Sequence, residues 1–209
     1  MAGVAAYRAW LHEGGAVPAA VAGHSLGEYA ALVAAGVLTL ADAAPLVRLR
    51  ASAMQEAVPV GKGAMAAILG MDAVKVTEGC REALASFAPD SGEVVEAVNF
   101  NDPAQTVIAG SKAAVDKACE VLKANGAKRA LPLPVSAPFH SSLMKPAAEK
   151  LRERLAQLDF ARPAIDLVNN IDVTVQVEPE LDAERLAAWP GARMKSHSLS
   201  MNSGTRHPP

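Results

Sequence analysis

Residues 21–38, VAGHSLGEYAALVAAGVL, join a short apolar strand to an apolar helix through a tight polar turn. The helix is indicated by apolar residues that recur on one face, at positions 26, 30, 33 and 37. His24 and Ser25 lie in the turn, between Gly23 and Gly27. Two interpretations are open: the turn presents Ser25 as a nucleophile at the start of the helix, or the glycines only permit the bend and Ser25 caps the helix.

Strands and helices alternate on both sides of this turn, which predicts an α/β fold. One helix is predicted to start after Thr39 or Asp42 and to run to about Val58. Pro45 is best accommodated when Asp42 is the cap, because the proline then falls in the first turn of the helix.

The middle of the chain has a different pattern from its two flanks. Strands and helices in the order β-α-β-β-α-β fill residues 62–135, which is the order of a ferredoxin-like unit. We therefore expect a large α/β domain from 1–61 and 136–190, with this subdomain inserted into it. Residues 191–209 have no apolar periodicity and are predicted to be a disordered tail.

Composition narrows the class of protein. A formal net charge of −2 favours neither nucleic acid nor a membrane surface as a partner. The two cysteines lie in segments predicted to be helical and have no neighbouring ligand at metal-binding spacing, so we expect neither disulfides nor a metal site. No signal peptide or membrane-spanning stretch is evident. We expect a cytoplasmic protein.

The turn matches the nucleophile-elbow pattern G-x-S-x-G at residues 23–27. In that geometry the serine occupies a strained strand-to-helix turn and its hydroxyl projects outward. The next backbone N–H, that of Leu26, can then donate to an oxyanion. The pattern predicts Ser25 as the nucleophile, and a glycine-eased turn remains the alternative.

A serine nucleophile needs a base, and His140 is the best placed of the five histidines. It follows a predicted strand and precedes a helix, where active sites of α/β proteins gather. His24 adjoins Ser25, but neighbouring side chains on a tight turn usually point apart, so we expect it to be a poor base. A loop histidine satisfied by local backbone groups is the alternative for His140.

Arg50 lies beside the apolar face of the helix that ends near Val58. A guanidinium in that position needs an acidic partner or an anionic ligand. Arginine can hold a carboxylate through two parallel hydrogen bonds, so Arg50 is a candidate for binding a substrate carboxylate. An internal ion pair is the alternative.

Longer segments carry a resemblance to the malonyl-CoA:acyl carrier protein transacylases. These are GHSLGEYAALVAAGVL, MQEAVP with GAMAAILG, VNFNDPAQTVIAG, GAKRALPLPVSAPFHSSLMKPAAEKL and VNNID, in the family's order between residues 4 and 178. The resemblance implies an α/β-hydrolase-like body with a ferredoxin-like insertion. It also implies a monomer that uses malonyl-CoA and acyl carrier protein in fatty-acid synthesis, without a metal or cofactor.

The same resemblance assigns roles to individual residues. Ser25 is implied as the acyl-accepting nucleophile, His140 as the base and Arg50 as the group that holds the malonate carboxylate. Phe139, next to the base, is implied to favour an unbranched malonyl group. His24 and Leu26 are implied to line the substrate site, Leu26 through its backbone N–H.

Three segments of that family have no counterpart in this sequence. They are an early G-Q-G-S-Q segment that supplies oxyanion support, a Pro-Val-x-Trp stretch and a Gly-Pro-Gly turn near the end. We expect the chain to be a central portion of the family fold. A non-catalytic, carrier-binding fragment is therefore one alternative. A serine esterase or thioesterase is another, because the same arrangement of nucleophile and base also hydrolyses acyl groups.

Overall fold

The polypeptide folds around two β-sheets that meet at the loop carrying His140. A computed structural model describes residues 2–171, 173–176, 186 and 194–195. The elements in chain order are α1 (Ala2–His12), β1 (Ala20–Ala22), α2 (Leu26–Ala34), α3 (Leu40–Glu56), β2 (Gly63–Leu69), α4 (Ala73–Leu84), β3 (Val95–Asp102), β4 (Gln105–Ser111), α5 (Lys112–Ala124), β5 (Arg129–Pro132), a 3₁₀ turn (Ser142–Met144), α6 (Lys145–Leu155), β6 (Asp166–Val168), β7 (Val175–Gln176) and β8 (Met194–Lys195).

The first sheet has three described strands in the order β1-β6-β7. β1 runs parallel to β6, with Val21 opposite Leu167, and β7 pairs antiparallel with β6. Helices α2, α3 and α6 bury leucines in one cluster with Leu167. Val21 of β1 packs against this cluster, which helps to fix the strand whose end leads into the turn at Ser25.

The second sheet has the order β5-β2-β4-β3-β8 and is antiparallel except for the pair β3-β8. The predicted order β-α-β-β-α-β is confirmed for β2 to β5. One face of the sheet packs against α4 and α5 through residues such as Ile68, Ile108 and Leu122. The other face carries Met65 and Val98 and packs against the loop that leads to His140.

The start of α3 corrects one expectation. Thr39, not Asp42, is the N-cap: its hydroxyl accepts a hydrogen bond from the Asp42 N–H at 3.1 Å, and it also donates to the Asp42 carboxylate. Pro45 consequently lies inside the helix, beyond the first turn. The proline removes one hydrogen bond, to the Ala41 carbonyl. The cap pair and the burial of the α3 face offset that loss.

The predicted disordered tail, 191–209, lies outside the described residues except at Met194–Lys195, which form β8 beside β3. Across the described residues, no helix has both the length and the apolar character needed to span a bilayer.

Candidate active site

The turn after β1 holds Ser25 in an unusual backbone conformation. Its φ of 52° and ψ of −117° lie in a region that residues with a side chain rarely adopt. Gly23 makes the turn possible, since a Cβ at that position would lie 2.1 Å from the Gly27 carbonyl carbon. Ser25 sits at the N-cap position of α2, yet its hydroxyl makes no capping hydrogen bond. The helix-cap alternative therefore does not account for the side chain.

The Ser25 hydroxyl instead contacts His140. Ser25 Oγ and His140 Nε2 are 3.0 Å apart, although the two residues are 115 positions apart in the sequence. His140 is only 4% exposed and has a left-handed backbone, with φ of 67°. A tight turn supports it, in which Ser141 donates to the Pro138 carbonyl through both its N–H and its hydroxyl.

Arg50 also reaches the same oxygen. Its Nη2 donates a hydrogen bond to Ser25 Oγ at 3.0 Å, and its Cζ lies 6.0 Å from the centre of the Tyr29 ring. Burial lowers the pKa of Arg50 from its ordinary value, while Tyr29 acts in the opposite sense. Burial raises the pKa of Tyr29 to about 12, with Arg50 opposing that rise. At neutral pH the site thus presents a buried cation beside a neutral phenol.

Asn170 holds the backbone of the nucleophile. It follows β6, the strand parallel to β1, and its Oδ1 accepts the Ser25 N–H at 2.9 Å. Asn169 braces the neighbouring turn by donating from Nδ2 to the Thr174 carbonyl and hydroxyl. By chain order alone these asparagines are candidates for orienting His140, and that role stays a prediction. The structure adds a different contact, in which Asn170 positions Ser25.

A cleft of about 330 Å³ opens above these groups. The structure brings five predicted site residues to its wall: His24, Ser25, Arg50, Phe139 and His140. The Leu26 side chain lies elsewhere, half exposed beside a small apolar cavity between α1, α2 and α3. Its backbone N–H is the part that can serve the site, because the first N–H groups of a helix have no intrahelical partner.

Sequence reasoning missed the other residues of the cleft wall: Met54, Met65, Asn99, Leu133 and Val135. Three of them, Met65, Asn99 and Leu133, come from the five-stranded sheet or the residue that follows it. The order of these strands was predicted, but a strand pattern does not tell which of its faces meets another part of the chain. Among the described residues, no group of three His, Cys, Asp or Glu side chains is arranged as metal ligands are.

Together the strained serine and the buried histidine form a candidate nucleophile–base pair on an α/β fold. The chain belongs to the acyl transferase domain family, whose model matches residues 2–192. Malonyl CoA-acyl carrier protein transacylase of Escherichia coli (strain K12) is 56% identical over 172 residues, which are 82% of this chain and 54% of that protein. The chain therefore spans about half the length of that relative.

Solved structures show the same mixed α/β fold. The crystal structure of acyl-carrier-protein S-malonyltransferase from Burkholderia pseudomallei 1710b superposes with a TM-score of 0.84 at 60% identity, covering 92% of this chain and 60% of that one. A solved complex of a type II PKS acyl-carrier protein with its malonyl-transacylase contains a chain that matches with a TM-score of 0.87 at 46% identity. The match covers 92% of this chain and 60% of that one.

Proposed function

We propose that this chain transfers a malonyl group from malonyl-CoA to the phosphopantetheine thiol of acyl carrier protein, through an acyl-Ser25 intermediate. The observation that carries the proposal is that Ser25 Oγ lies 3.0 Å from both His140 Nε2 and Arg50 Nη2. A nucleophile, a base and a cation for the free carboxylate of the substrate thus meet at one atom. The names of the relatives support this choice of substrates.

In the first half-reaction Ser25 Oγ attacks the thioester carbonyl of malonyl-CoA. His140 Nε2 takes the hydroxyl proton, which requires the neutral imidazole with its own proton on Nδ1. The Leu26 N–H, at the start of α2, donates to the developing oxyanion, and the partial positive charge of the helix N-terminus supports it. The carbon–sulfur bond then breaks, and the CoA sulfur takes the proton from His140.

The second half-reaction runs the same steps in reverse with another thiol. His140 Nε2 removes the proton from the phosphopantetheine thiol, and the sulfur attacks the malonyl ester on Ser25. The carbon–oxygen bond to Ser25 Oγ breaks, and the proton on His140 returns to that oxygen. The chain needs no metal or cofactor for either step, because side chains and substrates supply every proton and electron pair.

Arg50 selects the acyl group in this scheme. The malonate carboxylate accepts hydrogen bonds from the guanidinium, which then releases Ser25 Oγ for attack. A neutral acyl group leaves the buried cation without a carboxylate, so it is disfavoured. Phe139, half-buried on the cleft wall, limits the room for a branched group, and the exposed His24 borders the substrate entrance.

The architecture fits this proposal. The parallel pair β1-β6 with its elbow supports an α/β-hydrolase-like body formed by 1–61 and 136–190. The strand order β5-β2-β4-β3 supports a ferredoxin-like subdomain at 62–135. We place this monomeric enzyme in the cytoplasm, where fatty-acid synthesis supplies both of its substrates.

The first test is the intact mass of the purified chain after incubation with malonyl-CoA. We expect one malonyl adduct, no comparable adduct from acetyl-CoA and none on the Ser25→Ala variant. Adding holo acyl carrier protein should discharge the adduct and move the malonyl mass to the carrier. Circular dichroism of each variant shows whether it is folded.

Other outcomes point to the alternatives. An adduct that water removes as fast without carrier as with it indicates a thioesterase. A folded chain that forms no adduct but still binds the carrier indicates a non-catalytic, carrier-binding fragment. Either result contradicts the proposed transfer for this polypeptide.

A further inference from the structure

One carboxylate of the five-stranded sheet reaches the loop that carries His140. Glu96 in β3 accepts a hydrogen bond from the Ser142 N–H through Oε2, at 2.6 Å. The two residues are 46 positions apart, and Ser142 follows His140 by two residues. Glu96 shares a strand with Asn99, which lines the cleft, but does not line it itself.

Ser142 begins a helical segment, the 3₁₀ turn that continues into α6. The first N–H groups of such a segment need acceptors from outside it. Ser141, in the capping position, makes no side-chain capping bond, and its hydroxyl donates to the Pro138 carbonyl at 2.7 Å. Glu96 therefore acts as the cap from a distant strand, and its negative charge suits the N-terminal end of a helix.

The backbone of His140 explains why this cap matters for the site. A histidine with φ of 67° is disfavoured by about 1–3 kcal/mol and persists only when its flanks are fixed. On the upstream side, Pro138 packs so closely on Gly63 of β2 that a Cβ on that glycine would lie 2.3 Å from the proline Cδ. On the downstream side, Glu96 holds Ser142. Both restraints come from the same sheet.

We propose that Glu96 is a positioning residue for His140, an inference that rests on the proposed function. Its carboxylate fixes the backbone at Ser142 and so keeps Nε2 of His140 at 3.0 Å from Ser25 Oγ. Glu96 contacts neither substrate nor reacting atoms in this role. A displacement of about 1 Å at a reacting group can lower a rate about a hundredfold, so loss of the cap acts on the chemical step.

Glu96→Ala, Glu96→Gln and a matched control test the proposal. Glutamine keeps an acceptor oxygen at the same distance along the side chain, whereas alanine removes it. Glu120→Ala is the control, because Glu120 is an exposed carboxylate on α5 paired only with Lys117 in the described contacts. The measurements are the rate of Ser25 malonylation at several malonyl-CoA concentrations and the hydrogen exchange of the Ser142 amide.

We expect Glu96→Ala to lower the saturating malonylation rate at least about tenfold, without changing the malonyl-CoA concentration that gives half of it. Exchange of the Ser142 amide should speed up in the same variant. Glu96→Gln should recover most of the rate and the protection, and Glu120→Ala should match the unmodified chain in both.

Malonylation of Glu96→Ala at the unmodified rate would overturn this inference and leave the proposed function intact. Equal losses in the alanine and glutamine variants would also overturn it, since charge and not capping would then be responsible. If the unmodified chain and Glu120→Ala are not malonylated at all, the proposed function itself fails, and the role of Glu96 fails with it.

Discussion

Arg50 Nη2 donates to Ser25 Oγ at 3.0 Å, so the oxygen that contacts His140 is also bound to a buried guanidinium. When neutral His140 carries its proton on Nδ1, the Ser25 hydroxyl donates to Nε2 and accepts from Arg50, so it is held in one direction. The guanidinium lowers the energy of the Ser25 alkoxide. A substrate must compete with Ser25 Oγ for the hydrogen bonds that the guanidinium donates. A substrate that carries a carboxylate resolves this competition, because the carboxylate takes over the guanidinium.

Replacing Arg50 should remove the preference for malonyl groups. In Arg50→Ala, the ratio of malonyl to acetyl adducts on Ser25 should fall about a hundredfold or more, because the carboxylate then enters a site without its cation. The measurement is the intact mass after competition between malonyl-CoA and acetyl-CoA. Arg50→Lys should retain only part of the preference, since an ammonium cannot hold a carboxylate through two parallel bonds.

An unchanged malonyl preference in Arg50→Ala would contradict the assignment of Arg50. The acetyl adduct provides the internal control, because its formation shows that Ser25 and His140 still function in the variant.

Local patterns were enough to predict the parts of the site that a single element determines. The glycine-flanked turn singled out Ser25 as a candidate, and helical periodicity predicted that Arg50 lies beside the buried face of α3, where it is 8% exposed. The position of His140 between a strand and a helix was also correct. Local patterns carry no information about contacts between residues far apart in the chain. They could not predict that the side chains of residues 50 and 140 both reach the hydroxyl oxygen of residue 25.

Features that depend on distant contacts were missed for the same reason. Glu96 is one polar residue in a strand, and only the packing of that strand against the loop makes it a cap for Ser142.

Two local features were also predicted wrongly. Thr39 and Asp42 were equally good caps by residue type, and the prediction favoured the wrong one because it treated Pro45 in isolation. β5 ends at Pro132, three residues before the predicted end of the subdomain at 135, because two prolines within three positions limit pairing.

The glycines of the turn should differ sharply in their tolerance of a side chain. Gly23→Ala should reduce the free energy of unfolding by about 2–3 kcal/mol and abolish malonylation, because its Cβ would overlap the Gly27 backbone. Gly27→Ala meets nothing within 4 Å and should raise the free energy of unfolding by up to about 1 kcal/mol, through the better helix propensity of alanine. Urea unfolding measures both, and equal effects would contradict the geometry of the turn.

Asn170 should matter for the nucleophile without contacting the substrate. Asn170→Ala leaves the Ser25 N–H without its acceptor, so the free energy of unfolding should fall by about 1–3 kcal/mol. Malonylation should slow at least about tenfold, because the strained turn loses a restraint. Asn170→Asp keeps the acceptor oxygen and should retain more of the rate. Equal rates in the alanine variant and the unmodified chain, measured by time-resolved intact mass, would contradict this role.

Tyr29 should make the fold sensitive to alkaline pH. Burial raises its pKa to about 12, whereas an unfolded chain has a tyrosine pKa near 10. Above pH 10 the unfolded state releases the phenol proton and the folded state retains it, so the free energy of unfolding falls as pH rises towards 12. The loss should be about 1.4 kcal/mol per pH unit in that window and absent below it.

Tyr29→Phe has no proton to lose, so the difference in unfolding free energy between the two proteins should be flat from pH 8 to 9.5. It should then shift in favour of the variant between pH 10 and 11. The groups that titrate in both proteins cancel in this difference, and a difference that stays flat to pH 11 would show that the Tyr29 hydroxyl is not held in its neutral form by burial.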